Sequence, residues 1–149
     1  MALLTEMSEL CDMLIALFIE EAEGLQVEEA GIFYGDQERI PTSPAICVEP
    51  DDKKSDLYGA GRMTEVDFVV YILCYHSELR AIQSNRRDAD RLAERVTTLL
   101  NSNANFYGRA IHCFVSANSS GYATKQNNTF RANRITFNLK SQERLPNNP

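Results

Sequence analysis

The stretch 64-TEVDFVVYILCYH-76 decides the fold, because both alternating sides of this predicted strand are apolar. A strand with one face in water alternates apolar and polar residues. Here Val69, Tyr71 and Leu73 form one side, and the other side consists of Val66, Phe68, Val70, Ile72 and Cys74. Each side therefore needs a cover. We expect a second copy of the protein to cover the side of Tyr71, and residues 24–44 are the alternative cover.

The composition indicates one soluble domain that repels anionic surfaces. The chain has 149 residues, enough for a domain with its own core. With 21 acidic and 15 basic side chains its formal charge is −6, so nucleic-acid binding would require a local basic patch. The four cysteines form no CxxC pair and are interpreted as reduced core residues of a cytosolic protein. We expect no signal peptide, and no membrane span because no apolar stretch reaches about 18 residues.

Two stretches have the apolar spacing of amphipathic helices. The first covers residues 5–23 and ends at Gly24, a residue that commonly ends helices. The second covers residues 85–100, with Asn85 as its N-cap. The apolar stripe of the first is Met7, Leu10, Cys11, Leu14, Leu17 and Phe18, and that of the second is Ala89, Leu92, Ala93, Val96, Leu99 and Leu100.

The remaining strands are shorter or have one polar side. Residues 45–49 form a predicted strand between Pro44 and Pro50, and residues 109–116 and 131–140 form a closing pair. The second member of that pair alternates apolar and polar residues and is interpreted as an outer strand. Polar, glycine-bearing residues predict exposed loops at about 50–62 and 117–130, and residues 141–149 are expected to be a flexible tail.

These elements predict a single α+β domain over residues 1–149. The expected fold is a four-stranded mixed β-sheet with two α-helices packed on one face, in the order α-β-β-α-β-β. The long strand is expected in the centre of the sheet, with a right-handed crossover through the second helix.

No catalytic or metal-binding motif is evident. The sequence has two histidines and lacks both GxSxG and HExxH, so we expect no enzyme, no cofactor and no metal. The pairs Cys74/His76 and His112/Cys113 lack the usual ligand spacings of zinc sites. An alternative enzyme hypothesis places a site around Asp67, Tyr71 and His76.

A row of arginines on the second predicted helix suggests an alternative function. A small nucleic-acid-binding domain could use Arg86, Arg87, Arg91 and Arg95 for phosphate contacts. Three carboxylates, Asp88, Asp90 and Glu94, interleave with these arginines. This pattern favours an ordinary solvated or subunit-facing surface.

The order and character of the elements resemble a known family. An amphipathic helix, the strand 44-PAICVEP-50, a glycine-bearing loop, the long apolar strand, a second helix and a closing run, 132-ANRITFNLKSQER-144, follow one another. This order resembles that of the tail-terminator and tail-completion (neck) proteins of tailed bacteriophages. The resemblance implies a non-enzymatic virion protein, assembled in the host cytoplasm, that forms a ring, usually of six copies, on the tail tube. Another phage neck or head-tail connector protein is the alternative within this group.

The resemblance also implies partners and an interface. The partners would be further copies of the chain, the tail tube protein and neck proteins, while DNA would pass through the lumen without specific binding and no membrane would be involved. The acidic net charge fits a lumen that does not hold DNA. Under this hypothesis the two exposed loops and the Tyr71 side contact neighbours. The predicted interface residues are Lys53, Lys54, Tyr58, Arg62, Val69, Tyr71, Leu73, Arg131 and Arg134.

Overall fold

A computed structural model describes residues 2–58, 62–77 and 82–145 of the chain. Three helices and five strands occur among these residues, with a single 3-10 turn at Glu29–Gly31. The helices are α1 (Met7–Glu20), α2 (Ala22–Leu25) and α3 (Ile82–Asn101). The strands are β1 (Ile32–Tyr34), β2 (Ala45–Tyr58), β3 (Met63–Ser77), β4 (His112–Lys125) and β5 (Asn128–Arg144).

The strands form one mixed sheet in the order β1-β2-β3-β5-β4. β1 runs parallel to β2, and the other neighbouring pairs are antiparallel. The long apolar strand β3 lies in the centre, and α3 connects it to β4 on the far side of β5.

The predicted four-stranded, two-helix fold is wrong, because the described chain has five strands and three helices. The additional strand, β1, has three residues, and the additional helix, α2, has four. Elements this short contain too few residues for an apolar period to be visible, so their formation depends on the contacts they make in the fold.

Most of the two stretches expected to be loops is paired strand, and residues 59–61 of the first lie outside the described part of the chain. β2 continues through the polar residues 50–58, and β4 and β5 continue to a tight turn at Gln126 and Asn127, which have positive φ angles of 47° and 67°. Ladder hydrogen bonds with a neighbouring strand satisfy the backbone whatever the polarity of the side chains. β5 also includes residues 141–144 of the expected tail, and the buried Ser141 hydroxyl donates a hydrogen bond to the Leu4 carbonyl oxygen.

The outer-strand interpretation of residues 131–140 is also wrong, since β5 lies between β3 and β4. The alternation of apolar and polar residues in β5 shows that one face of the sheet is exposed to water there. It does not show whether the strand lies at the edge of the sheet, which depends on the order of the strands. The outermost strand on this side is β4.

Both long helices pack on the same side of the sheet. Their apolar stripes and the side of β3 that carries Val70 form the main core. Its fully buried members include Leu10, Leu14, Phe18, Ala93, Val96, Ile135 and Phe137. Among the described residues, no helix is long and apolar enough to cross a membrane.

Candidate functional site

The side of the sheet opposite α1 and α3, here called the open face, carries the second apolar side of β3. Its end near Tyr75 is covered by the connection between β1 and β2. Ile40 from this connection packs with Ala45, Cys47, Tyr75 and Phe130 in a second, smaller cluster. At this end of the open face the cover is therefore the chain itself, which is the alternative to the expected second copy.

A polar clamp holds this connection on the sheet. Asp36 accepts a hydrogen bond of 2.7 Å from the Tyr75 hydroxyl and one of 2.9 Å from the Lys125 ammonium. Burial, followed by the hydrogen bond to Asp36, raises the pKa of the Tyr75 hydroxyl, so it stays protonated and continues to donate. The clamp joins the connection to both β3 and β4.

The centre of the open face is only partly covered. Val69, Tyr71 and Leu73 are each half-buried, and only Leu73 packs against the second cluster. The Arg134 guanidinium, on the neighbouring strand β5, lies 4.8 Å from the centre of the Tyr71 ring. This cation–π contact holds Tyr71 in place and leaves part of the apolar surface accessible to water.

A cleft next to β4 extends this half-covered region. It has a volume of about 340 Å³ and is lined by Asp67, Phe68, Val69, His112, Phe114, Asn138, Leu139 and Lys140. Phe114 is 46% exposed although it is a large aromatic residue. Phe114 is absent from the predicted interface. It could have been predicted from alternation along the strand. Phe114 shares a side with His112, opposite the apolar set Ile111, Cys113 and Val115.

Charged side chains surround the apolar centre. Lys140 lies 3.4 Å from a Glu65 oxygen and 3.9 Å from an Asp67 oxygen. Strand register places further carboxylates, those of Glu49, Asp52 and Asp56, on the same face, with Lys54 opposite Asp67. The open face thus combines an apolar centre with a polar, mostly acidic surround, an arrangement typical of protein interfaces.

The remaining predicted interface residues lie elsewhere. Lys53 and Arg131 point to the helix side. Lys53 donates a 2.6 Å hydrogen bond to the Thr5 carbonyl oxygen, and Arg131 lies 3.9 Å from Asp90 of α3. Arg62 is exposed next to the start of β3, and the Tyr58 side chain lies outside the described part of the chain. The structure therefore groups Val69, Tyr71, Leu73, Arg134 and Lys54 on one face, apart from Lys53 and Arg131.

The residues of the enzyme hypothesis do not come together. Asp67 and Tyr71 share the open face but are four positions apart along β3, a separation of about 13 Å at about 3.3 Å per residue. His76 points to the opposite face and lies near Asp88 and Arg91 of α3. Within residues 2–58, 62–77 and 82–145, no group of three or more histidine, cysteine or acidic residues is placed to hold a metal ion.

The arginines of α3 form no uniform basic surface. Arg91 lies 4.0 Å from Asp88, and Arg95 donates a hydrogen bond of 3.3 Å to the Gln26 side chain. Asp90 and Glu94 are exposed between them. The Arg86 side chain lies outside the described part of the chain.

All four cysteines are free thiols in the core. Burial raises the pKa of Cys11 and Cys47 to about 11 and that of Cys74 to about 12. These thiols are therefore protonated at neutral pH and are poor nucleophiles.

The chain shares its fold with a virion component. A chain of the virion of a native gene transfer agent (GTA) particle superposes with a TM-score of 0.62, covering 90% of this chain and 95% of that chain at 12% sequence identity. No protein-family model matches the sequence, and no curated protein matches it. The likeness is thus one of fold, and it extends over nearly the full length of both chains.

Proposed function

We propose that this protein is a structural component of a phage-like virion, and specifically a tail terminator whose copies form a ring on the tail tube. The observation that carries the proposal is the fold shared with a chain of the gene transfer agent virion. The narrower assignment to the terminator group rests on the resemblance of the sequence described above. A neighbouring neck or connector position is the second candidate, supported by the same fold.

The open face is the proposed contact between copies. Val69 and Tyr71 are half-buried, and the exposed Phe114 ring borders the adjoining cleft. A neighbouring copy that covered this region would bury apolar surface at a gain of about 25 cal/mol per Å². The net charge of −6 suits a ring that DNA crosses without being bound.

Replacing Tyr71 with lysine should break the ring without unfolding the protomer. Within the protomer an ammonium group at this position would lie near Arg134 but opposite Glu49, which offers it a counter-charge. Under a neighbouring copy it would become desolvated. Light scattering after size exclusion should give a mass several times 16.8 kDa for the wild type and about one protomer for Tyr71→Lys.

Tyr107→Lys is the matched control. Tyr107 is 44% exposed and belongs to the connection between α3 and β4, so this variant should keep the wild-type mass. A wild type that is monomeric at every concentration would refute the proposed ring, and an assembled Tyr71→Lys variant would refute the proposed contact.

Tube length separates a terminator from a neck protein. The tail tube protein encoded by the same genome should polymerise in vitro into tubes. Adding the purified proposed terminator should shorten these tubes, because a cap blocks further addition of tube subunits. Electron microscopy of the tubes measures this directly. Unchanged tube lengths would exclude the terminator assignment and favour a neck position.

A further inference from the structure

The two outer edges of the sheet differ in their protection against an added strand. On one side, β1 pairs with Ile46–Val48 of β2 and leaves the rest of β2 at the edge. That remaining stretch contains Pro50, a register shift between Pro50 and Asp52, and the charged residues Asp51, Asp52, Lys53, Lys54 and Asp56. Proline, bulges and charges are the features by which natural sheets prevent edge-to-edge pairing.

The opposite edge, formed by β4, lacks the proline and the charges, and its one register shift, between Val115 and Ala117, lies near the start of the strand. β4 pairs with β5 on one side, and no strand of the described chain lies on its other side. The 12 residues from Cys113 to Thr124 include neither a charged residue nor a proline. A long, uncharged edge strand is a template for pairing with another extended segment.

Within the described part of the chain, the end of α3 and the segment after it provide hydrogen-bond acceptors to the beginning of this edge. The Cys113 amide donates a 2.9 Å hydrogen bond to the Ala104 carbonyl oxygen, and the Val115 amide donates one of 2.9 Å to the Asn101 side chain. Both acceptors belong to the end of α3 and the connection that follows it. Beyond this point residues 116–120 are all exposed. We call residues 116–124 the β4 edge.

Aromatic side chains stand at both ends of the β4 edge. Tyr122 is 50% exposed on the helix side, with the Arg131 guanidinium 5.2 Å from its ring centre. Phe114 is exposed on the open face just before the edge begins. An added strand would point alternate side chains to the two faces, where these rings could contact them.

We infer that the β4 edge accepts an extended, uncharged segment of another virion protein as a sixth strand of the sheet. This inference rests on the proposed function. Within a ring of identical copies, each described edge of a second copy is a poor donor. The edge of β2 is charged and interrupted by proline, and β1 has only three residues. Pairing of β4 with the β4 of a second copy would be a two-fold symmetric contact, and a head-to-tail ring contains no such contact.

Hydrogen exchange on the purified protein and on isolated particles tests the inference. In the purified protein, outward amides of the β4 edge should exchange rapidly. In particles that contain the chain, the same amides should exchange at about one tenth of that rate or more slowly still, because they donate hydrogen bonds to the added strand. Cross-linking with mass spectrometry should join the β4 edge to a segment of a different protein.

An edge lysine provides the matched pair of variants. Ser120→Lys in the β4 edge should retain the fold and the ring but lose the cross-links, because an edge lysine opposes strand addition. Ser55→Lys, an exposed serine on the edge of β2, should keep them. Unchanged exchange of the β4 edge in particles that contain the chain, or cross-links between two β4 strands, would overturn the inference. Particles that lack the chain would overturn the proposed function, and the inference with it.

Discussion

Replacing Val96 with aspartate should remove a large part of the protein's stability, enough to unfold a domain of marginal stability at about 25 °C. Val96 is fully buried on α3, within the cluster that joins both long helices to the sheet. The substitution removes buried apolar surface and places a carboxyl group inside this apolar cluster. A cost above about 4 kcal/mol is expected from these combined effects, against a total stability of about 5–15 kcal/mol for a typical domain. Circular dichroism on heating and the soluble yield measure the loss.

Thr98→Asp is the control for this prediction. Thr98 lies on the same helix but is exposed, so aspartate there should change the free energy of unfolding by about 1 kcal/mol or less. If Val96→Asp melts cooperatively within a few degrees of Thr98→Asp, Val96 does not occupy the core position described here.

Phe137→Ala should lower the free energy of unfolding by about 3–5 kcal/mol. Phe137 is fully buried on β5, and its ring centre lies 5.8 Å from that of Phe106. The truncation loses the transfer free energy of the ring and leaves a cavity between the sheet and the residues that follow α3. Urea unfolding should show a lower midpoint with an unchanged slope.

Phe114→Ala offers the matched comparison on the adjacent strand. Because Phe114 is 46% exposed, its truncation should cost about 1 kcal/mol or less in the isolated protomer. Equal losses for the two variants would mean that Phe137 is not part of the core.

The long elements could be predicted because each has a strong apolar period. The predicted helix at residues 85–100 falls within α3, and the predicted strand at 64–76 falls within β3. β1 and α2 could not be predicted in this way. β1 exists because residues 32–34 pair with β2, a contact that depends on residues distant in sequence.

Some predicted interface residues lie on the wrong face because side chains alternate between the two faces of a sheet along each strand. Arg131 and Arg134 are close in sequence and both cationic, which groups them in one predicted interface. Positions three apart on a strand point to opposite faces, so Arg134 contacts Tyr71 while Arg131 faces α3. Lys53 and Lys54, adjacent on β2, are separated for the same reason.

The cover over Tyr75 depends on a contact that sequence periodicity does not contain. Ile40 lies in an irregular, glycine- and proline-bearing connection, and its position on the open face is fixed partly by Asp36. The open-face cleft likewise requires the register that places Phe114 beside Asn138 and Val69. Alternation along β4 indicates the side on which Phe114 points, but not its neighbours on the adjacent strands.

Negative-stain electron microscopy of the purified wild-type protein tests ring formation most directly. Copies joined through the open face should appear as closed rings with a central opening, and their frequency should increase with protein concentration. Images that show only separate 16.8 kDa protomers over the full concentration range would contradict self-association through the open face.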